Sequence, residues 1–369
     1  MTGTASTFVG RRLGRARGLG LRPALVAALL LLSSGQLAWA QSEETWQQRF
    51  MKLLHAERSL SEGAATPRAE AIRSLGHLGP TVVPLLESLY RGQTHDPEVR
   101  VANLAALARV GPDHGVLRVL QAALSDPEEQ VVVTAAACLQ SLEWAGEPIL
   151  IHALRTHPSD NARFYSACGL WVSTGNPEQV RGLIECLDDV DPHVRAVVLF
   201  CLSREFTRST ETWGWDTPES LATKREIEAL AAACTPDLVE LFEREPLPNV
   251  RTGALLALGD RSFETVVRGL GDPSSEVRGV AASCLGRHYG DHPLAASLIP
   301  VVVTLLFESS PRTREFAAAA VMNLGTRDRF AIAVLFHLSY YDPDLEVRVN
   351  VRRYLRSIFR PRRSEREGR

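Results

Sequence analysis

An arginine followed seven residues later by a leucine returns along this chain at a near-constant interval, and that return limits the fold more than any other feature. The pairs are Arg68/Leu75, Arg100/Leu107, Arg163/Leu170, Arg195/Leu202, Arg251/Leu258, Arg278/Leu285 and Arg348/Leu355. Two copies are imperfect: Val132 replaces the arginine before Leu139, and Arg314 is followed by Val321. Successive leucines from 75 to 202 are 32, 32, 31 and 32 residues apart, later steps are 27, 36 and 34, and one gap of 56 precedes Leu258. The residue before the leucine is small in eight of the nine copies, as in Ala106, Cys138, Gly169 and Ala257, and only Tyr354 departs. A unit of about 30 residues that returns in this way buries its apolar surface on its own copies.

The copy beginning at Asp96 shows the unit. The Asp96 carboxylate can cap a first turn, Pro97 suits the first helical position because it has no amide to lose, and Glu98 places negative charge at the positive end of the dipole. Val99, Ala102, Ala106 and Val110 then share one face at helical spacing, thickened by Leu104 and Leu107, so the helix needs neighbours on two sides. Gly111-Pro112 stops it, and Val116 to Leu124 give a second helix before Asp126-Pro127.

Asp-Pro, Val-Arg, Ala-Leu and Gly, repeated in helix pairs over residues 66–359, resemble the HEAT repeat, in the short bacterial form also found in phycobilin lyases. The resemblance implies an all-α fold, an α-solenoid of about nine HEAT-like helix pairs. It also implies a ladder of Arg100, Arg195, Arg278 and Arg348 with Asp96, Asp191, Asp272 and Asp342, with Val132 as a missing rung; the alternative is separate surface charges worth little each.

Ahead of the repeats, five arginines between Arg11 and Arg22 precede an apolar run from Pro23 to Leu32 and then Ala38-Trp39-Ala40. Residues 1–40 therefore resemble a secretory signal cleaved after Ala40, for export to the periplasm or the exterior, with an uncleaved anchor as the alternative. The apolar run is too short for a good membrane span. The chain carries 41 basic and 43 acidic residues, and losing those five arginines leaves 36 basic, a formal charge of −7. Nucleic acid, which asks for a basic stripe, is not an expected partner.

Residues 41–65 read as a capping helix, with Trp46, Phe50, Leu53 and Leu54 on its apolar side. The pattern breaks after residue 202 and resumes at Pro248. Either residues 204–233 are an insertion or residues 217–245 are a degenerate extra repeat. Residues 360–369 form a charged tail, either a solvated end or a basic contact with an acidic lipid or polymer. Of six cysteines, Cys138, Cys201 and Cys284 occupy the same small slot and Cys168 lies one residue from it. Equivalent atoms of stacked helices sit about 9–10 Å apart, beyond the roughly 7 Å limit for a disulfide, so these read as buried small residues.

No catalytic, cofactor-binding or metal-binding residue is assigned. Cys284, His288 and His292 are spaced like ligands with Asp291 beside them, but Gly290 and Pro293 should end the helix that would present them together. None of the ten histidines precedes glutamate, so the His-Glu pairs of the deoxyhypusine hydroxylases, a HEAT-type enzyme family, are missing. The expected function is a non-catalytic exported scaffold whose second helices form a lateral surface for a protein partner. The alternative is an enzyme or enzyme subunit resembling the phycobilin lyases, marked by colour or bound metal in the purified protein. Trp213 and Trp215 lie in a polar, turn-forming stretch and are the candidate partner-binding residues, with folding back onto the solenoid as the competing account.

Overall fold

The helix that opens at Pro97 follows the capping chemistry read above. Asp96 Oδ1 accepts the Glu98 amide at 3.0 Å, Pro97 opens the helix, and Gly111, at φ +101°, ends it in a backbone conformation that glycine adopts without strain. The computed structural model describes residues 67–92, 96–171, 175–210, 217–324 and 329–358. The expected signal segment 1–40, the expected capping helix 41–65, the candidate residues Trp213 and Trp215, and the expected tail 360–369 lie outside the described residues.

Two rows of helices alternate along the chain. The first row is α1 (Pro67–Leu75), α3 (Pro97–Val110), α5 (Glu129–Ser141), α7 (Asp160–Gly169), α9 (Pro192–Thr210), α12 (Pro248–Leu258), α14 (Ser275–His288), α16 (Pro311–Asn323) and α18 (Leu345–Ile358). The second row is α2 (Val83–Gly92), α4 (His114–Ala123), α6 (Glu147–Thr156), α8 (Pro177–Ile184), α10 (Pro218–Ala233), α11 (Thr235–Arg244), α13 (Phe263–Gly269), α15 (Ile299–Thr304) and α17 (Arg329–Tyr341). Each first-row helix packs on the next, from α1 to α18, and among the described residues there is no strand. This is an α-solenoid.

The long spacing before Leu258 is taken up in the second row. Helix α9 packs directly on α12, while α10 lies against α8, α9 and α11. Helix α9 also continues past the expected break to Thr210, because Phe206, 1% exposed, still finds cover, with the Arg261 guanidinium 5.0 Å from its ring centroid.

The small slot has a direct cause in the first row. The Sγ of Cys138 meets the Leu104 carbonyl at 3.5 Å, that of Cys201 meets the Ala167 carbonyl at 3.4 Å, and that of Cys284 meets the Leu255 carbonyl at 3.7 Å. Helix backbones approach so closely that a Cβ on Gly286 would lie 2.6 Å from Ala320 Cα. A larger side chain would push the row apart.

The ladder exists, but with different partners from those the resemblance implied. Arg163 directs Nε and Nη2 at Asp189, Arg251 at Asp272 and Arg314 at Asp342, each as a two-pronged pair at 2.7–3.0 Å. Arg100 reaches Asp126, Arg195 reaches Glu245 and Arg278 reaches Glu308. In every rung the acid belongs to the turn that opens the following first-row helix. The Nη1 atoms of Arg163, Arg195, Arg251, Arg278 and Arg314 also donate to two carbonyls in the turn before their own helix, for example Glu308 and Ser309 for Arg314. One guanidinium thus ties two successive turns together.

Asp96 and Asp191 are not ladder partners. They accept amides of the first turn of their own helices and so serve as caps. Asp272 and Asp342 are partners, but of the arginine one repeat earlier. The gap at Val132 is real and is matched: where the next turn would supply the acid it carries His157, whose Nε2 meets Ser125 Oγ at 2.8 Å.

Asp342 gives the ladder a pH signature. Burial alone would raise its carboxyl, but the bonds from Arg314 and the Asp344 amide, with the charges of Arg314 and Arg348, outweigh burial and hold it below the ordinary carboxylate range. Its contribution is therefore full above the unfolded value of about 3.9 and is lost as pH falls through the lower folded value. In urea titrations, the stability difference between wild type and Asp342→Asn should be constant from pH 7 to about 5 and shrink below about 4. A difference unchanged at pH 3 would contradict this.

Candidate protein-binding surface

The second row is not uniform. From α2 to α13 its outer side is laced by exposed ion pairs between neighbouring helices: Arg118 with Glu87, Arg155 with Glu185, Arg181 with Glu226, and Arg268 with Glu243. Exposed pairs of this kind add little stability, but they keep a surface hydrated and poor in apolar contact. The picture changes after α14. Of fifteen large apolar side chains exposed among the described residues, nine lie from Leu294 onward, so the apolar surface belongs to the last quarter of the chain. Phe307 is 65% exposed and Phe330 64%, on consecutive second-row segments, with Val301 between α14 and Phe307. Tyr340, Tyr341, Leu345 and Val349 continue the exposure onto the end of α17 and onto α18. Concentrated apolar exposure of this kind marks an interaction surface.

This concentration was not visible in the sequence. The periodicity that reveals the buried face of a repeat treats all copies alike, and Phe307 and Phe330 simply read as further apolar positions. The signal that could have found them is an excess: α17 is apolar around most of its circumference, more than a helix with one buried side requires.

The cysteines and histidines offer no assembled reactive group. All six cysteines are free and buried. Burial pushes the Cys284 thiol up to about 12 and those of Cys186 and Cys234 to about 11, and raises Cys138 and Cys201 as well, so none of these five supplies thiolate at neutral pH. Helix α14 holds Cys284 and ends at His288, as the glycine and proline implied, and His292 beyond it stacks on Phe263 with ring centroids 3.7 Å apart. Among the described residues no group of three or more potential ligands could hold a metal ion. A polar cleft of about 330 Å³ lies between the turns after α6 and α8, lined among others by His157, Arg163, Glu185, Cys186 and Asp189. Its charges are already paired, Arg163 with Asp189 and Arg155 with Glu185.

The model of the family described as HEAT repeats matches residues 57–142 and 263–356. The chain is built of HEAT-like repeats. No curated protein matches this HEAT-repeat chain. Among solved structures, a chain of the Kap95:Nup1 complex is similar at 14% identity, covering 90% of this chain and 47% of that one, with a TM-score of 0.49. The HEAT-repeat chain therefore spans about half the length of that structure. A designed armadillo repeat protein in complex with the peptide (KR)4 is similar at 18% identity over 65% of this chain and 98% of that one, with a TM-score of 0.33. Human deoxyhypusine hydroxylase in complex with glycerol is similar at 19% identity over 75% of this chain and 95% of that one, with a TM-score of 0.29. Among the described residues, no helix is long and apolar enough to cross a membrane.

Proposed function

We propose that this protein is an exported, non-catalytic scaffold that binds a protein partner through the apolar surface of its last repeats. The observation that carries this reading is the concentration of exposed large apolar side chains from Leu294 onward, headed by Phe307 and Phe330, beyond a stretch of the second row whose neighbouring helices are joined by exposed ion pairs. A HEAT-type array supplies the rigid support that such a surface needs. Export is supported by the arginine-rich start, the short apolar run and Ala38-Trp39-Ala40. The burial of all six cysteines favours a binding role over nucleophilic chemistry.

Crosslinking and pull-down from the native envelope tests the whole reading. The recovered protein should begin at Gln41 by mass spectrometry, and one protein should co-purify in constant ratio. Phe307→Asp with Phe330→Asp should leave the melting temperature unchanged, because both side chains already face water, and should reduce recovery of that protein at least tenfold. Undiminished recovery by the double variant, or a native N-terminus at Met1, would count against the proposal.

A further inference from the structure

Among the described residues, the ladder arginine Arg348 has no acid of a following repeat. Arg348 donates through Nη1 to the carbonyls of Asp342 and Pro343, the bond to Pro343 being 3.1 Å, in the same clasp that the earlier rungs make on the turn before their own helix. In those rungs the Nε and Nη2 edge takes a carboxylate from the next repeat, whereas among the described residues no carboxylate lies within ion-pair distance of Arg348.

The apolar register is open at the same place. The residue after the ladder arginine faces the following first-row helix: Ala196 is 2% exposed and its carbonyl lies beside Gly253 of α12, and a Cβ on Gly279 would meet Thr313 of α16 at 3.1 Å. Val349 holds that position in α18 and is 45% exposed, with Leu345 one turn before it at 62%. Helix α18 repeats the tetrapeptide of α3, Glu346-Val347-Arg348-Val349 against Glu98-Val99-Arg100-Val101, and the forward side of α3 is covered by α5, whose opening turn supplies Asp126 to Arg100.

Charge selects among the occupants. Arg352, Arg353 and Arg356 are exposed on α18 beside Arg348, and Arg352 also lies 5.4 Å from the Tyr340 ring centroid. A second copy docked end to end through this face would bring these arginines against themselves. The chain's own residues 359–369 carry five arginines against two glutamates and share the sign of the face. An acidic segment is drawn to it.

We propose that the α18 end of the array binds an acidic helical segment of a partner protein, which docks as one further first-row helix, with an Asp or Glu ahead of its first turn completing the rung at Arg348 and its apolar stripe covering Leu345 and Val349. The proposal rests on the scaffold reading, and it uses Leu345, Val349 and Arg348 of α18 rather than Phe307 and Phe330.

The probe is a fluorescent synthetic peptide of residues 126–141 carrying Cys138→Ala, the acidic segment that already fills this role on α3. Fluorescence anisotropy with the full chain should show saturable binding that weakens with salt. Arg348→Gln in the protein and Asp126→Asn in the peptide should each weaken binding tenfold or more, and the two together no further than either alone, which shows that the two groups meet. Val349→Asp should also weaken it. Binding that Arg348→Gln leaves unchanged, or no binding to the full chain, would overturn the proposal, as would sedimentation showing a dimer that Val349→Asp dissociates. Phe307→Asp with Phe330→Asp should not alter peptide binding, so failure here is distinct from failure of the envelope pull-down.

Discussion

Arg314→Met should cost about 3–5 kcal/mol in a denaturant titration, which is the cost of removing one partner of a buried ion pair. The side chains of Arg314 and Asp342 are 7% and 1% exposed, and the substitution breaks both prongs to Asp342 and both bonds to the Glu308 and Ser309 carbonyls. The larger part of the loss is the carboxylate left buried without its cation. Adding Asp342→Leu should recover part of the loss by removing that stranded charge, but not all, because Asp342 Oδ1 also accepts the Asp344 amide and so shapes the turn that opens α18. A loss under about 1 kcal/mol for Arg314→Met would put the rung among surface ion pairs.

Leu107→Ala should cost about 2–5 kcal/mol by the same measurement. Leu107 is 0% exposed in α3, which packs on α1 and α5, and its neighbours Leu104 and Ala106 are equally buried, so little could collapse into the space left behind. Leu107→Val should cost less, since Val321 fills this slot in α16 and is itself 0% exposed. A neutral Leu107→Ala would mean that the seven-residue register does not place this leucine between stacked helices.

The two predictions separate what was legible from what was not. The leucine and the small residue before it could be read because burial acts on them in every repeat, and the contacts of Cys138, Cys201 and Cys284 with the preceding helix show the force responsible. The ladder acids were misread because two positions ahead of each helix favour a carboxylate. Four residues before the arginine, Asp96, Asp191 and Asp344 cap the helix. Six residues before it, or before Val132 where the arginine is missing, Asp126, Asp189, Asp272 and Asp342 hold the turn and receive the previous arginine. Asp-Pro occurs in both phases, at Asp96 in the first and at Asp272 in the second, so the dipeptide alone aligns unlike positions. Counting six back from each arginine also finds Glu245 and Glu308, which carry no Asp-Pro. The candidate surface was less legible, because exposure of Phe307 and Phe330 depends on what the neighbouring repeats leave uncovered.

The matched loss at Val132 and His157 makes the ladder two ladders. Pulling apart any other pair of successive repeats from α3 onward strands a guanidinium on one side and a carboxylate on the other, a penalty felt before the helices have separated far. Among the described residues no buried ion pair is cut between α5 and α7, and the boundary is held by apolar contact, the Tyr165 hydroxyl donating to Glu129 at 2.6 Å, the Ser125–His157 hydrogen bond, Asn176 donating to Glu147, and the exposed pair of Arg155 with Glu185. The array therefore has a seam, and proteolytic halves, circular permutants or a pulling force would find their first point of division there.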